Sequence, residues 1–274
     1  MFNPGLCMTL VKQRGHMAPF LHGGDLCAGI ATARAFGYDC VEIHVRAPEE
    51  LDLPALKEAL LREDMLISAL GTGRAYVDDK LSLIDPDEQA RRKALTRLHG
   101  FIDAAAELHA MVIIGCLRGN VPFPGREQES LHLLGEAMQK ADAYASARSV
   151  SLVLEAINRY ENNYLCSIYE VAAFIEKNKL KNTGILADTF HMNIEERDIV
   201  PAFSDNMRYI RYVHAADSNR HYPGGGHTDF PAILKALKDG GYQGNISAEI
   251  LPLPDDDAAA KLWLAHMKGY LLNV

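Results

Sequence analysis

Short, dense apolar runs take turns with amphipathic stretches from one end of the chain to the other. The apolar runs fall at 6–11, 40–45, 66–70, 111–114, 152–154, 184–187, 209–215 and 245–250. Most are packed with Val, Ile, Leu and Ala rather than alternating strictly with polar residues, as expected of strands covered on both faces. Between them, apolar positions recur at helical spacing over 87–108 and over 127–147, where Leu131, Leu134, Ala137 and Met138 follow a helical period. Ser167 stands three residues before Glu170 and the apolar run 171–175, a helix start with an acidic first turn. Segments 230–237 and 258–271 close the helical series. A strand–helix–strand rhythm predicts an α/β fold with a parallel sheet and right-handed crossovers. Eight repeats predict closure into a (β/α)8 TIM barrel. An open, doubly wound sheet is the alternative, because the pattern does not pair the last strand with the first. No Gly/Ser- or Pro-rich linker divides the chain, so residues 1–274 are read as a single TIM-barrel domain.

Composition narrows the function classes. The formal charge of -8 leaves no basic surplus to neutralise phosphates, which argues against a general nucleic-acid binder. One or two local arginines would still serve a small anionic substrate. Cys7, Cys27, Cys40, Cys116 and Cys166 are scattered and odd in number, none forms a CxxC, and no pair reads as a disulfide framework. A reducing cytoplasm is the expectation. The first fifteen residues, MFNPGLCMTLVKQRG, hold no apolar run long enough for a signal peptide or a membrane helix, so no membrane association is expected.

The informative residues are polar groups at the ends of apolar runs, where a parallel barrel gathers its chemistry. The fifth run continues as LEAINRYENN, with Glu155 directly after its apolar core. The sixth ends in Asp188, with His191 three residues on. The seventh carries His214 near its end, followed by Asp217, Asn219 and Arg220, and the eighth ends in Glu249. A single carboxylate at such a position is usually a cap or an ion-pair partner. Four such groups from four consecutive strands can converge on one point, and three carboxylates with one imidazole suit a cation such as Mn²⁺, Mg²⁺ or Co²⁺. Without a cation the three negative charges would repel one another. Gly224, Gly225 and Gly226 lack a phosphate-loop signature and are read as permissive loop residues.

The segments LEAINRYENN, LADTFHMNIEE, VHAADSNRHYPGGGHTDF and SAEILPLP, in this order, resemble the sugar epimerase branch of the xylose-isomerase-like barrels, which includes the ketose 3-epimerases. The likeness spans nearly the whole chain. It implies that Glu155, Asp188, His214 and Glu249 ligate one divalent metal ion, Mn²⁺ first, with Co²⁺ or Mg²⁺ as alternatives. It further implies that Glu155 and Glu249 double as the acid–base pair, and that His191 and Arg220 hold the substrate's oxygens. A homodimer or homotetramer is implied as well. Within the branch, ALGTGRAYVDDKLSLIDPD and VIIGCLRG are most similar to a 5-keto-L-gluconate epimerase. Arg74 follows the third strand and Arg118 the fourth, and an arginine fork suits a substrate carboxylate. Each arginine is read equally well as a surface group paired with Asp78, Asp79 or Glu127. Glu42 and His44, on the second strand, are read as partners of the ligating groups.

The expected reaction is proton exchange at a carbon beside the ketone of a keto sugar or keto sugar acid, through an enediolate. D-tagaturonate/5-keto-L-gluconate interconversion is one instance. The alternatives are a 3-epimerase of neutral ketoses such as tagatose or psicose, an aldose–ketose isomerase, a multi-metal phosphodiesterase or DNA-repair endonuclease on a similar barrel, and a sugar-binding barrel without turnover.

Overall fold

The computed structural model describes residues 2–13, 15 and 18–274. Met1 and Arg14, part of the stretch read for a leader, lie outside the described residues, as do His16 and Met17. Eight parallel strands form the sheet: β1 (Leu6–Val11), β2 (Cys40–His44), β3 (Leu66–Gly71), β4 (Met111–Ile114), β5 (Leu152–Glu155), β6 (Thr183–Asp188), β7 (Ile210–His214) and β8 (Asn245–Ala248). They pair in chain order. β8 then pairs back onto β1 through Leu6↔Ile246, Cys7↔Ser247 and Met8↔Ala248, so the sheet closes into a barrel and the open-sheet alternative falls away. A two-residue strand, His22–Gly23, also pairs with the end of β1.

Among the described residues, ten α-helices lie between and after the strands: α1 (Leu26–Phe36), α2 (Leu53–Glu63), α3 (Gly73–Asp79), α4 (Glu88–Leu108), α5 (Glu127–Ser146), α6 (Ile168–Lys177), α7 (Thr189–Glu195), α8 (Ile199–Asn206), α9 (Phe230–Asp239) and α10 (Asp256–Leu271). Their starts follow local chemistry. Asp25, Asp52, Asp87, Asp229 and Asp255 each accept a backbone N–H of their helix's first turn. Ser167 and Glu170 form a reciprocal capping box at α6. None of the described helices is long and apolar enough to cross a membrane.

Packing separates two apolar regions. The larger lies between the barrel and its helices; the smaller is a plug of Ala69, Ile113, Val153, Leu186 and Tyr212. These five come one each from β3 to β7 and face the lumen. Side chains alternate along a strand, so the residues two positions further on face the lumen too. Those residues are Gly71, Gly115, Glu155, Asp188 and His214. On β2 the same step leads from Glu42 to His44, and at β8 from Ser247 to Glu249. The chemistry-bearing residues thus sit directly above the apolar plug.

Cys7 and Cys40 form a disulfide, with Cα atoms 4.5 Å apart, whereas no cysteine pairing was expected. The cause is register: Cys7 and Cys40 are direct neighbours across β1 and β2 although 33 residues apart in sequence, and no spacing motif reveals such pairing. Cys27, Cys116 and Cys166 are free thiols.

Candidate active site

The C-terminal end of the barrel encloses a cavity of about 210 Å³ that Glu155, His191, Arg220, Glu249, His44 and Arg74 help to line. Glu155, Asp188, His214 and Glu249 are all buried, and each offers a ligand atom within 4.8 Å of those of the other three. The four strand-end groups picked out in the sequence are therefore brought together. Asp188 divides its carboxylate between two tasks. Oδ1 accepts the Phe190 backbone N–H and caps α7, while Oδ2 is buried without a hydrogen bond. His214 does likewise: Nε2 meets Glu42 Oε2 at 3.1 Å, while buried Nδ1 has no hydrogen-bond partner. The two orphaned atoms lie 3.9 Å apart, and His214 Nδ1 is 3.6 Å from Glu249 Oε2. Buried polar atoms are nearly always satisfied. Oxygen-rich donors converging on one point, two of them unsatisfied, fit a divalent cation.

The electrostatics agree with that fit. Burial raises the Asp188 carboxyl above its ordinary range, despite the nearby charges of His191, Arg220 and His214. Burial would push Glu249 the same way, but His214 and Arg220 outweigh it and hold the acid well below the carboxylate range. His214 would be lowered by burial, yet the carboxylates of Glu42 and Glu249 raise it well above an ordinary imidazole. The protein alone thus balances clustered negative charge with protons and with Arg220, work that a cation would take over.

His191 is buried, with Nε2 3.5 Å from Glu155 Oε1 and 3.7 Å from Asp188 Oδ2. Asn158 Nδ2 donates to His191 Nδ1 across 2.6 Å, so a neutral ring carries its proton on Nε2, toward the carboxylates. Arg220 donates to Glu249 Oε2 at 2.6 Å and to Glu161 Oε1 at 3.2 Å, and its guanidinium lies 4.7 Å from the centre of the Phe190 ring. Its backbone is left-handed, φ 60. Arg220 N–H on the Asp217 carbonyl and Leu251 N–H on the Arg220 carbonyl hold it there. The Asp217 carboxylate, itself fully buried, takes backbone N–H groups from Ser218, Gly224 and Thr228 and so ties the loop together.

The two further arginines part company. Arg74 lines the cavity and pairs with Asp78 at 2.9 Å. The structure does not bring Arg118 into the cavity. It is fully buried on the turn 116–118, donates from Nη1 to the Leu165 carbonyl at 3.1 Å, and sits 5.1 Å from the Tyr164 ring centre. Position after a strand was its only signal, and position does not fix where a long side chain points. Glu161 and Asn158, which brace Arg220 and His191, went unrecognised in the sequence. Both lie in a loop, where no period marks the inward face. Glycines complete the chamber: a Cβ on Gly115 would fall 2.4 Å from Glu155 Oε2, and one on Gly71 2.2 Å from His44 Nδ1.

A larger cavity, about 660 Å³, opens beside Cys40, Leu61, Leu66 and Met111 at the start of the strands. It lacks the convergence of buried acids and imidazoles found at the other end, so size alone does not mark the site.

Comparison with known proteins agrees. Residues 30–268 match the family described as xylose isomerase-like TIM barrel. L-ribulose 3-epimerase of Methylomonas sp. (strain DH-1) is 32% identical over 224 residues, covering 80% of this chain and 76% of that protein. Ketose 3-epimerase of Arthrobacter globiformis is 31% identical over 226 residues, covering 80% and 75%. The crystal structure of D-allulose 3-epimerase from Methylomonas sp. in complex with D-allulose superposes with a TM-score of 0.83 at 25% identity, covering 97% of each chain. The chain belongs to the xylose isomerase-like TIM-barrel family, within its sugar epimerase branch.

Proposed function

We propose that this chain inverts the carbon next to the ketone of a keto sugar or keto sugar acid. The observation that carries the reading is the placement of Glu155 and Glu249 on the wall of one cavity, beside Asp188 and His214 and above the apolar plug of the barrel. Glu155, Asp188, His214 and Glu249 would hold one divalent ion, Mn²⁺ first, which would polarise the ketone and offset negative charge developing on its oxygen. Glu155 and Glu249 exchange the proton: one carboxylate removes it from carbon and the other, protonated, returns it to the opposite face. Arg220, braced by Glu161, directs its guanidinium toward the substrate oxygens, and the Nε2–H of His191 faces the same chamber. Phe20, Ile157 and the aliphatic part of Arg74 offer apolar surface to the sugar's C–H groups.

The acid-substrate version, including D-tagaturonate/5-keto-L-gluconate interconversion, depends on Arg74 turning from Asp78 to a substrate carboxylate. The neutral-ketose version is favoured by the Arg74–Asp78 pair as it stands, and by the burial of Arg118 away from the cavity. Chelated protein, reloaded separately with Mn²⁺, Co²⁺ and Mg²⁺, would be assayed on neutral ketoses and keto sugar acids by NMR in D₂O. The expected result is no turnover after chelation, recovery with Mn²⁺, and an inverted, deuterated carbon beside the ketone. An aldehyde product would replace the epimerase reading with an isomerase. Arg74→Ala should depress sugar-acid turnover far more than neutral-ketose turnover; equal losses would remove Arg74 from the specificity argument.

A further inference from the structure

Glu42 stands outside the four-residue cluster, yet it is fully buried and touches it. It lies on β2 beside Thr9 and Ala69, one lumen step below His44. Its two oxygens face two different imidazoles: Oε2 meets His214 Nε2 at 3.1 Å, and Oε1 meets His44 Nε2 at 2.5 Å. His44 in turn lines the cavity, its ring centre 4.4 Å from that of Phe20. A single carboxylate therefore joins the cavity wall to the back of His214.

We propose that Glu42 is a positioning residue that fixes which nitrogen of His214 faces the cluster. The proposal rests on the reading of Glu155, Asp188, His214 and Glu249 as a metal centre. An ionised carboxylate only accepts hydrogen bonds, so each imidazole meeting it presents an N–H. A neutral imidazole has one N–H; when Nε2 carries it, Nδ1 is left with a free lone pair. His214 Nδ1 is the atom that lies 3.6 Å from Glu249 Oε2 and 3.9 Å from Asp188 Oδ2, buried and without a hydrogen bond. Glu42 thus turns the donor nitrogen of His214 toward the place where a cation would sit. The negative charge behind the ring also makes Nδ1 a stronger electron donor. The His44 contact holds the carboxylate from its other side. Gly71 leaves room for that ring, since a Cβ there would come within 2.2 Å of His44 Nδ1.

The test is Mn²⁺ titration of metal-free wild type and Glu42→Gln, read by electron paramagnetic resonance, with melting of both metal-free proteins. Glutamine keeps the shape but loses the charge and one of the two acceptors. Mn²⁺ affinity should fall roughly ten- to a hundredfold, and turnover should return when Mn²⁺ is raised to saturation. Equal Mn²⁺ affinity in the two proteins overturns the role of Glu42, whatever happens to the melting temperature. Wild type that binds no Mn²⁺ instead overturns the metal centre itself, so the two failures are distinguishable. A second measurement needs no variant. In ¹⁵N-histidine-labelled wild type with Mg²⁺, His214 should carry its proton on Nε2, and a proton on Nδ1 overturns the proposal.

Discussion

Val153, Leu186 and Tyr212 face the lumen one step below Glu155, Asp188 and His214, on the same three strands and the same side of each. The lower residues form an apolar plug with Ala69 and Ile113, where the Tyr212 hydroxyl is satisfied by Ser68 at 2.6 Å. Asp188 and His214 above them are just as buried, but Asp188 Oδ2 and His214 Nδ1 lack hydrogen-bond partners. A displacement of two residues along the strand separates side chains selected for packing from side chains held in a state unfavourable for stability. Two such unpartnered atoms 3.9 Å apart, within a cluster of further carboxylates, mark a place that a cation would complete.

That contrast can be broken by measurement. The largest effect is expected in the upper layer. Glu249→Gln should lower kcat roughly a hundred- to ten-thousandfold, with a melting temperature close to wild type. Undiminished turnover with normal metal content would remove Glu249 from proton transfer. In the lower layer the signs should exchange: Leu186→Ala leaves a cavity in the plug and should cost about 2–5 kcal/mol of stability. At roughly 2–4 °C per kcal/mol for a chain of this size, the shift is readily seen by calorimetry. Activity at a temperature where the variant stays folded should remain largely intact. A variant that instead loses turnover without losing stability would show the layers to be coupled. The smallest effect sharpens the comparison. Asp188→Asn keeps the cap on α7, because asparagine caps as well as aspartate, but removes a buried charge. The metal-free variant should be more stable by about 1 kcal/mol while losing Mn²⁺ binding. A less stable metal-free variant would mean that Asp188 is already well satisfied.

How much of this was readable beforehand follows the same division. All eight strands coincide with dense apolar runs, because a strand covered on both faces must be apolar nearly throughout. Glu155, Asp188, His214 and Glu249 stood out because each breaks such a run at its end. α1 and α2 escaped notice. The first is rich in small residues, as in LCAGIATARAF, and the second carries a proline in its first turn; both span 11 residues, about half the length of α4 and α5. The register between neighbouring strands leaves no mark in the sequence. The Cys7–Cys40 bond depends on register, and the paths of β2·β3 and β6·β7 shift at Val41/Glu42 and Ile185/Leu186, which no apolar period records. Side-chain direction was the other blind spot. Arg74 and Arg118 look alike in sequence, each following a strand, yet one borders the cavity and the other turns toward Leu165 and Tyr164.

The left-handed backbone at Arg220 carries a lesson for protein engineering. A residue with a Cβ adopts that conformation at some cost, and here backbone hydrogen bonds to Asp217 and from Leu251 hold it there. Grafting the segment from Asp217 to Thr228 onto another barrel would transfer the arginine but leave Leu251 behind. The transplanted guanidinium would then be free to wander, and the recipient would acquire a positive charge without acquiring its aim.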